Sequence, residues 1–87
     1  MKNKEVNFKI LRTEEFKKLF FTLEKNEQKW IVKVAAKLSE NPTGKILTYD
    51  WFREKKYLNK RLYYLIDEKT KKILFIGFAT KKKTNNF

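Results

Sequence analysis

The fold is decided by the stretch Arg61-Leu-Tyr-Tyr-Leu-Ile-Asp-Glu-Lys-Thr-Lys-Lys-Ile-Leu-Phe-Ile-Gly-Phe78. It contains two runs rich in β-branched and aromatic residues, which are separated by the polar segment 67–71. Two such runs with a short polar connection predict a β-hairpin, here with strands at 61–66 and 72–79. Gly77 lies inside the second predicted strand, where a glycine indicates a bulge or the close approach of another backbone.

Three further strands are predicted before this hairpin. Residues 46–49 and 51–57 are rich in β-branched and aromatic side chains and show a period of two. Near the N-terminus, Val6, Phe8 and Ile10 alternate with their neighbours, which indicates a short first strand.

Two amphipathic helices are predicted between the first strand and Pro42. Thr13 is suited to cap the first helix and Asn26 the second, because short polar side chains accept hydrogen bonds from the N–H groups of a first turn. Asn41-Pro42 should end the second helix, since a residue before proline disfavours helical geometry. The apolar stripes consist of Phe16, Leu19, Phe20 and Leu23 in the first helix, and of Trp30 or Ile31, Val34, Ala35 and Leu38 in the second.

These elements predict an α+β fold in a single domain, residues 1–87. In the order β-α-α-β-β-β, a helical hairpin packs on one face of a small, mostly antiparallel twisted sheet. The sheet has one more strand if residues 46–49 form a strand of their own. Alternation along the strand at 61–66 places Tyr64 in the core, whereas Tyr63 points to the face of Arg61.

The positive charge is concentrated in the C-terminal part of the chain. Residues 53–87 contain eleven Lys and Arg and three Asp and Glu, a net charge of +8, whereas residues 1–52 contain eleven and seven, a net charge of +4. Two thirds of the total of +12 therefore lie on about two fifths of the chain. Such an excess indicates an anionic partner, which is a nucleic acid, an acidic protein or an anionic membrane surface.

The sequence contains neither cysteine nor histidine. Zinc sites built on these residues are excluded, as is catalysis by imidazole, and we expect no metal and no cofactor. The uncharged runs are too short to cross a bilayer, and no signal-peptide core is recognisable near the N-terminus. Without disulfides the chain suits the reducing cytoplasm, where we expect it to be located.

Three groups of cations surround the hairpin: Arg53, Lys55 and Lys56; Lys60 and Arg61; and Lys81, Lys82 and Lys83. If their strands are neighbours, these groups should converge on one face of the sheet, with Trp51, Tyr57 or Tyr63 among them. Cations that hold phosphates and aromatic rings that stack on bases are the components of a single-stranded nucleic-acid site. The alternative is a solvated charged surface, which is the usual role of a run of charges.

Cleavage of RNA without a metal needs a base for the 2′-hydroxyl, cations for the charge that develops on the phosphate and an acid for the leaving oxygen. Arg61 stays charged and suits the phosphate, whereas a lysine crowded by other cations can act as the base. Glu54 is the alternative base. Alternation along its strand puts Glu54 and Lys56 on one face, and Arg53 and Lys55 on the other.

In their order and spacing, these motifs resemble the RelE/ParE toxin superfamily of type II toxin–antitoxin systems, and the resemblance covers nearly the whole chain. It rests on four segments: the helix end Leu38-x-x-Asn-Pro42, Trp51-Phe-Arg-Glu-Lys-Lys56, Arg61-Leu-Tyr-Tyr64, and Phe75-Ile-Gly-Phe-Ala-Thr-Lys-Lys-Lys-Thr84. The last segment is similar to that of HigB-like members in particular. The resemblance implies a RelE-like fold.

The resemblance also implies roles for individual residues. Arg61 matches the phosphate-binding arginine, and the implied catalytic set is Arg61, Lys55, Lys56 and Lys82, with Lys81 or Lys83 as alternatives to Lys82. From the resemblance together with the pattern of cations and aromatic rings, we expect the RNA-binding residues to be Arg53, Lys60, Lys81, Lys83, Tyr63 and Phe87.

Three functions remain open at this point. The RelE and HigB branches cut mRNA in the ribosomal A site, which implies a metal-independent mRNA endoribonuclease that contacts mRNA and ribosomal RNA and inhibits translation. The ParE branch poisons DNA gyrase and has no nuclease activity. The third possibility is a family member that binds RNA with little or no cleavage. As protein partner we expect an acidic antitoxin, with a helix that wraps over the sheet and the helical hairpin.

Overall fold

The computed structural model describes residues 7–80, which form two helices and five strands. In chain order these are β1 (Lys9–Arg12), α1 (Glu14–Thr22), α2 (Lys25–Glu40), β2 (Lys45–Ile46), β3 (Phe52–Tyr57), β4 (Lys60–Asp67) and β5 (Lys72–Thr80). The first strand is thus present but begins at Lys9, and Val6 lies outside the described residues.

All five strands belong to one sheet with the order β1-β5-β4-β3-β2. The strands β2 to β5 pair in antiparallel fashion, whereas β1 pairs in parallel with β5, with Ile10 opposite Ile73. The helical hairpin α1–α2 packs on one face of this sheet. The predicted α+β architecture with a mostly antiparallel sheet is therefore confirmed. Within residues 7–80, no helix is long and apolar enough to cross a membrane.

The core lies between the helical hairpin and one face of the sheet. Its buried side chains are Leu62, Tyr64, Ile66, Ile73, Phe75 and Phe78 from the sheet, and Phe16, Ile31, Val34 and Leu38 from the helices. Phe16 meets Phe75 edge to face, with ring centroids 5.6 Å apart. Full burial of each large apolar side chain contributes about 1.5–3 kcal/mol, so this layer holds the hairpin on the sheet.

The predicted N-cap of α1 and the predicted end of α2 are both confirmed. Thr13 caps α1, since its Oγ1 accepts a hydrogen bond from Phe16 N at 3.0 Å. At the other end of the hairpin, α2 stops at Glu40 and Asn41 takes the C-cap position, directly before Pro42. Local rules for short polar residues and proline therefore determine these two boundaries.

The predicted cap at Asn26 is wrong. Helix α2 begins at Lys25, and Glu24 takes the N-cap position. The backbone N–H of Glu24 donates to Glu27 Oε1 at 3.1 Å, so a carboxylate three residues further on satisfies this donor. Asn26 therefore lies inside the first turn, where its side chain is exposed.

The second predicted strand is shorter than expected. Only Lys45–Ile46 pair with β3, and residues 47–51 form a tight turn instead of continuing the strand to 49. Phe52 N donates to Tyr49 O at 2.9 Å, which closes this turn. The aromatic residues that suggested a strand are therefore displayed at the end of the sheet.

The bulge predicted at Gly77 is confirmed. Tyr63 is opposite Gly77, but Tyr64 is opposite Phe75, so β5 has one extra residue at this point. Because the extra residue shifts the alternation, Phe75 and Phe78 both point into the core although they are three positions apart.

Tyr64 fixes the connection between α2 and β2 from within the core. Its side chain is fully buried, and its Oη donates to Thr43 O at 2.7 Å. The next residue, Gly44, has a φ of +126° and lies directly against the phenol. Burial raises the pKa of Tyr64 to about 12 from its ordinary value of 10.0, since the phenolate cannot be solvated there.

We therefore expect stability to fall above pH 10 in a way that depends on Tyr64. A pKa that is higher in the folded state gives stability that is fully present below pH 10 and is lost as the pH rises toward 12. By pH 11.5 the loss should reach about 2 kcal/mol. The measurement is urea unfolding at pH 9 and pH 11.5. Because lysines titrate in the same range, the comparison is with Tyr64→Phe, which should lose less stability between the two pH values.

Candidate nucleic-acid interface

The face of the sheet opposite the helices carries a polar cluster. Strand register places Lys56 of β3 opposite Arg61 of β4, and Glu54 opposite Tyr63. Residues that are directly paired across two strands point to the same face, and these four alternate with residues such as Tyr64 that point to the helices. We call Glu54, Lys56, Arg61 and Tyr63 the Arg61 cluster.

Arg61 and Glu54 form an ion pair in this cluster. Arg61 Nε lies 3.6 Å from Glu54 Oε2, and the side chains are 19% and 6% exposed. A carboxylate buried to this extent needs a nearby cation, so Arg61 stabilises Glu54 within the sheet. Arg61 Nη1 also donates to Lys60 O at 3.4 Å. A guanidinium has five N–H donors, which leaves Arg61 able to bind a phosphate as well.

Lys56 adds a second cation beside Arg61. Its side chain is exposed, and it stands opposite Arg61 in the register of the sheet. Within residues 7–80, no three acidic side chains come together in a way that would hold a metal ion. The chemistry that these described residues offer is therefore that of two cations and one carboxylate.

Tyr63 completes the cluster as a buried phenol. The residue is 6% exposed, and its ring centroid lies 6.3 Å from that of Phe52. Burial is the main cause that raises the pKa of Tyr63; Glu54 raises it further, and Arg61 opposes the shift. The hydroxyl therefore keeps its proton at neutral pH.

Arg53 and Lys55 lie on the opposite face, which the helices partly cover. Their partners across β3 and β4 are the core residues Tyr64 and Leu62. Arg53 Nε donates to Asp50 O at 2.7 Å and its Nη1 to a second backbone carbonyl at 3.3 Å, so Arg53 holds the turn before β3. The first two cation groups therefore do not lie together on one face as expected, because alternation divides each of them between two faces.

Lys60 points to the helices and forms an ion pair with Glu27 of α2. The distance from Lys60 Nζ to Glu27 Oε2 is 2.6 Å, and this hydrogen bond is the main cause that lowers the pKa of Glu27. Lys60 Nζ also lies 5.4 Å from the ring centroid of Phe78. Glu27 was missed by the sequence analysis, although it stands four residues before Ile31 and seven before Val34, on the stripe that α2 buries.

The predicted site residues thus fall into three sets. The structure brings Arg61, Lys56 and Tyr63 together, and it places Arg53, Lys55 and Lys60 on the other face. Lys81, Lys82, Lys83 and Phe87 lie outside the described residues. The RNA-binding and catalytic roles of all ten residues stay predictions.

A second surface feature is an apolar groove between the helical hairpin and β1, with a volume of about 230 Å³. We call it the hairpin groove. Phe21 and Val32 at its rim are 79% and 60% exposed, which is unusual for such large apolar side chains. Arg12 and Lys17 add positive charge. The remaining lining residues are Ile10, Phe16, Phe20, Ile31, Ala35 and Phe75.

Comparison with known proteins identifies the fold. No protein-family model matches the chain, and no curated protein sequence matches it. Among solved structures, a double mutant of the Escherichia coli toxin RelE in the free state is similar with a TM-score of 0.77 and 15% identity, over 87% of this chain and 85% of that one.

Two toxin–antitoxin complexes are similar to the same degree. The RelBE2 complex of Mycobacterium tuberculosis matches with a TM-score of 0.73 and 19% identity, over 85% of this chain and 98% of that one. The archaeal RelE–RelB complex of Pyrococcus horikoshii matches with a TM-score of 0.75 and 14% identity, over 90% and 99%. The chain therefore has the RelE fold, as its sequence motifs predicted.

Proposed function

We propose that the chain is the toxin of a toxin–antitoxin pair and inhibits translation by cleaving mRNA on the ribosome. One observation carries the proposal: Arg61, Lys56 and Glu54 share a sheet face that none of the described helices covers, in a chain with the RelE fold. A concentrated positive charge on this half of the chain supports an anionic substrate.

The proposed reaction joins the 2′-oxygen of one nucleotide to its own 3′-phosphate. The bond to the 5′-oxygen of the next nucleotide breaks, which leaves a cyclic phosphate and a free 5′-hydroxyl. A base takes the proton of the 2′-hydroxyl, and an acid returns a proton to the leaving oxygen. Arg61 would hold two phosphate oxygens with its planar fork, while Lys56 offsets the charge that develops in the transition state.

Two groups of the Arg61 cluster are suited to take the proton. Glu54 is an acceptor whose position Arg61 fixes at 3.6 Å, and binding of a phosphate to Arg61 would bring the 2′-hydroxyl toward the same carboxylate. Lys56 is the alternative base. Glu54 has the better support, because its geometry is set by a described contact, whereas Lys56 is exposed.

The function is tested by inducing the protein and mapping mRNA ends by primer extension. We expect growth arrest and new 5′-ends in translated mRNA, and cleavage of purified mRNA only when ribosomes are added. A DNA-damage response without mRNA cleavage would contradict the proposal and favour a gyrase poison. Tight, salt-sensitive RNA binding without any cleavage would instead favour a plain RNA-binding protein.

The proposed antitoxin would bind the hairpin groove with an amphipathic helix. The groove is apolar and carries Arg12 and Lys17, so the complementary surface is an apolar stripe flanked by acidic side chains. Two of the similar structures, named above, are complexes of a RelE with its RelB antitoxin. This supports the expectation that an antitoxin covers part of this chain.

Val32→Glu should weaken binding of this antitoxin by at least about 10-fold, because it places a carboxylate among apolar side chains and repels an acidic partner. The measurement is co-purification and titration with the acidic antitoxin that we expect a neighbouring reading frame to encode. Ala36→Glu makes the same change of charge at an exposed position of α2 that does not line the groove, and it should bind normally. Equal loss in both variants would contradict docking in the groove.

A further inference from the structure

Two large aromatic side chains stack on each other at the end of the sheet while remaining half exposed. The ring centroids of Tyr49 and Trp51 are 4.8 Å apart and the rings are parallel within 3°. The residues are nevertheless 54% and 47% exposed. A stacked pair that is this exposed presents flat π surface to the solvent. The sequence indicated Trp51 as a ring that could stack on bases, but it assigned Tyr49 to a strand and did not predict the pair.

The turn that carries the pair is held rigidly. Its ends and centre are tied to the sheet by three hydrogen bonds: from Phe52 N to Tyr49 O at 2.9 Å, from Arg53 Nε to Asp50 O at 2.7 Å, and from Ile66 N to Trp51 O at 2.8 Å. Because the backbone of this turn is fixed before any ligand arrives, little conformational entropy is lost when a ligand stacks on the rings.

Further aromatic rings lead from the exposed pair to the Arg61 cluster. The ring centroid of Trp51 lies 6.4 Å from that of Phe52, which in turn lies 6.3 Å from that of Tyr63. Tyr63 belongs to the Arg61 cluster. An extended strand rises about 3.3 Å per residue, so Trp51 and Lys56 are separated by about 17 Å along β3. About five stacked nucleotides, at about 3.4 Å each, would span this distance.

We propose that the stacked pair Tyr49–Trp51 is a second RNA contact, on which an unpaired base stacks while the phosphate to be cleaved lies on Arg61. The inference rests on the proposed function for its ligand, a single strand of RNA. Base stacking on aromatic side chains is tolerant of sequence, so the pair adds affinity and fixes the path of the strand without selecting a codon.

The chemistry of the surface favours RNA over a protein ligand. A single-stranded RNA has both kinds of group that this surface can bind: phosphates for Arg61 and Lys56, and flat bases for the exposed rings. An acidic helix supplies negative charge, but it supplies flat π surface only where it carries aromatic side chains. The hairpin groove, which suits such a helix, is lined by α1, α2, β1 and Phe75 of β5 instead, and it shares no residue with the stacked pair.

The test compares two double variants of the full chain. Tyr49→Leu with Trp51→Leu keeps apolar bulk but removes both π faces, whereas Tyr49→Phe with Trp51→Phe keeps them. The probe is a 2′-O-methyl oligouridine, which cannot be cleaved because the 2′-oxygen is blocked. We expect the leucine variant to bind about 10- to 100-fold more weakly and the phenylalanine variant within about 3-fold of wild type.

An oligonucleotide with abasic sites separates stacking from charge. It keeps the phosphates, so wild type and the leucine variant should bind it equally, with an unchanged salt dependence. In a Trp30→Phe background, Trp51 is the single tryptophan of the sequence, and its fluorescence should be quenched by the oligouridine but not by the abasic strand.

Equal oligouridine binding by wild type and the leucine variant would overturn the inference, as would a loss by the leucine variant that is limited to binding of an acidic protein partner. The proposed function fails separately. If the wild type cuts no mRNA but its binding of oligouridine still depends on Tyr49 and Trp51, the stacking site is supported and the nuclease function is contradicted. If the wild type cuts mRNA but the leucine variant binds oligouridine normally, the nuclease function is supported and the stacking site is contradicted.

Discussion

Arg61→Ala should reduce mRNA cleavage by about 100- to 1,000-fold and relieve growth arrest. The guanidinium is the fixed cation of the Arg61 cluster, and its planar fork suits two oxygens of a phosphate. Its loss removes stabilisation that is strongest in the transition state, so the rate of cleavage should fall more than the affinity for RNA. The measurements are single-turnover cleavage on programmed ribosomes and colony formation after induction.

Folding must be controlled in this experiment, because alanine also leaves the buried Glu54 carboxylate without its cation. Arg61→Lys keeps a charge near Glu54 but lacks the fork, so we expect it to fold normally and still lose at least about 10-fold in rate. Lys69→Ala removes one exposed cation from the β4–β5 turn and should cleave like wild type. Wild-type cleavage by a folded Arg61→Ala protein would contradict the assignment of the site.

Gly44→Ala should destabilise the fold by about 3–5 kcal/mol, the second large effect that we expect. The residue has a φ of +126°, which L side chains rarely adopt. A methyl group there would overlap the Tyr64 hydroxyl and crowd its ring carbon Cζ at 3.0 Å. Relief of this overlap would break the hydrogen bond from Tyr64 to Thr43 O and leave a buried hydroxyl without its acceptor. Urea unfolding at pH 7 measures the loss.

Gly77→Ala is the matched control in the same sheet. A Cβ at Gly77 would meet no described atom within 4 Å, and its φ lies outside the left-handed region that disfavours side chains. We expect a change of less than about 1 kcal/mol. If both alanine variants unfold at the same urea concentration, the close contact between Gly44 and Tyr64 does not limit stability.

The elements of the fold were predictable because they depend on local chemistry. The Thr13 cap, the end of α2 before Pro42, the hairpin of β4 and β5 and the bulge at Gly77 all follow from residue types and periods. The cap of α2 was not predictable in the same way, since Glu24 and Asn26 both precede acceptable helix sequences. The hydrogen bond from Glu24 to Glu27 decided between them.

The arrangement of the site was predictable only in part. The period of a strand predicted that Glu54 and Lys56 lie on one face and Arg53 and Lys55 on the other. The structure shows this division. The expectation that all three cation groups lie on one face did not take this division into account. The turn at 47–51 was also missed, because its aromatic residues resemble those of a strand and the hydrogen bonds of Arg53 cannot be read from the sequence.

The parallel pairing of β1 with β5 has a consequence for the order of synthesis. β5 lies between β1 and β4 in the sheet, although it is translated after both, and the pair Ile10 and Ile73 is far apart in sequence. Until β5 has left the ribosome, β1 has no neighbour and β4 lacks one side. The sheet, and with it the support that β5 gives to Arg61 through its pairing with Ala79, is therefore complete only after residues 72–80 have been translated.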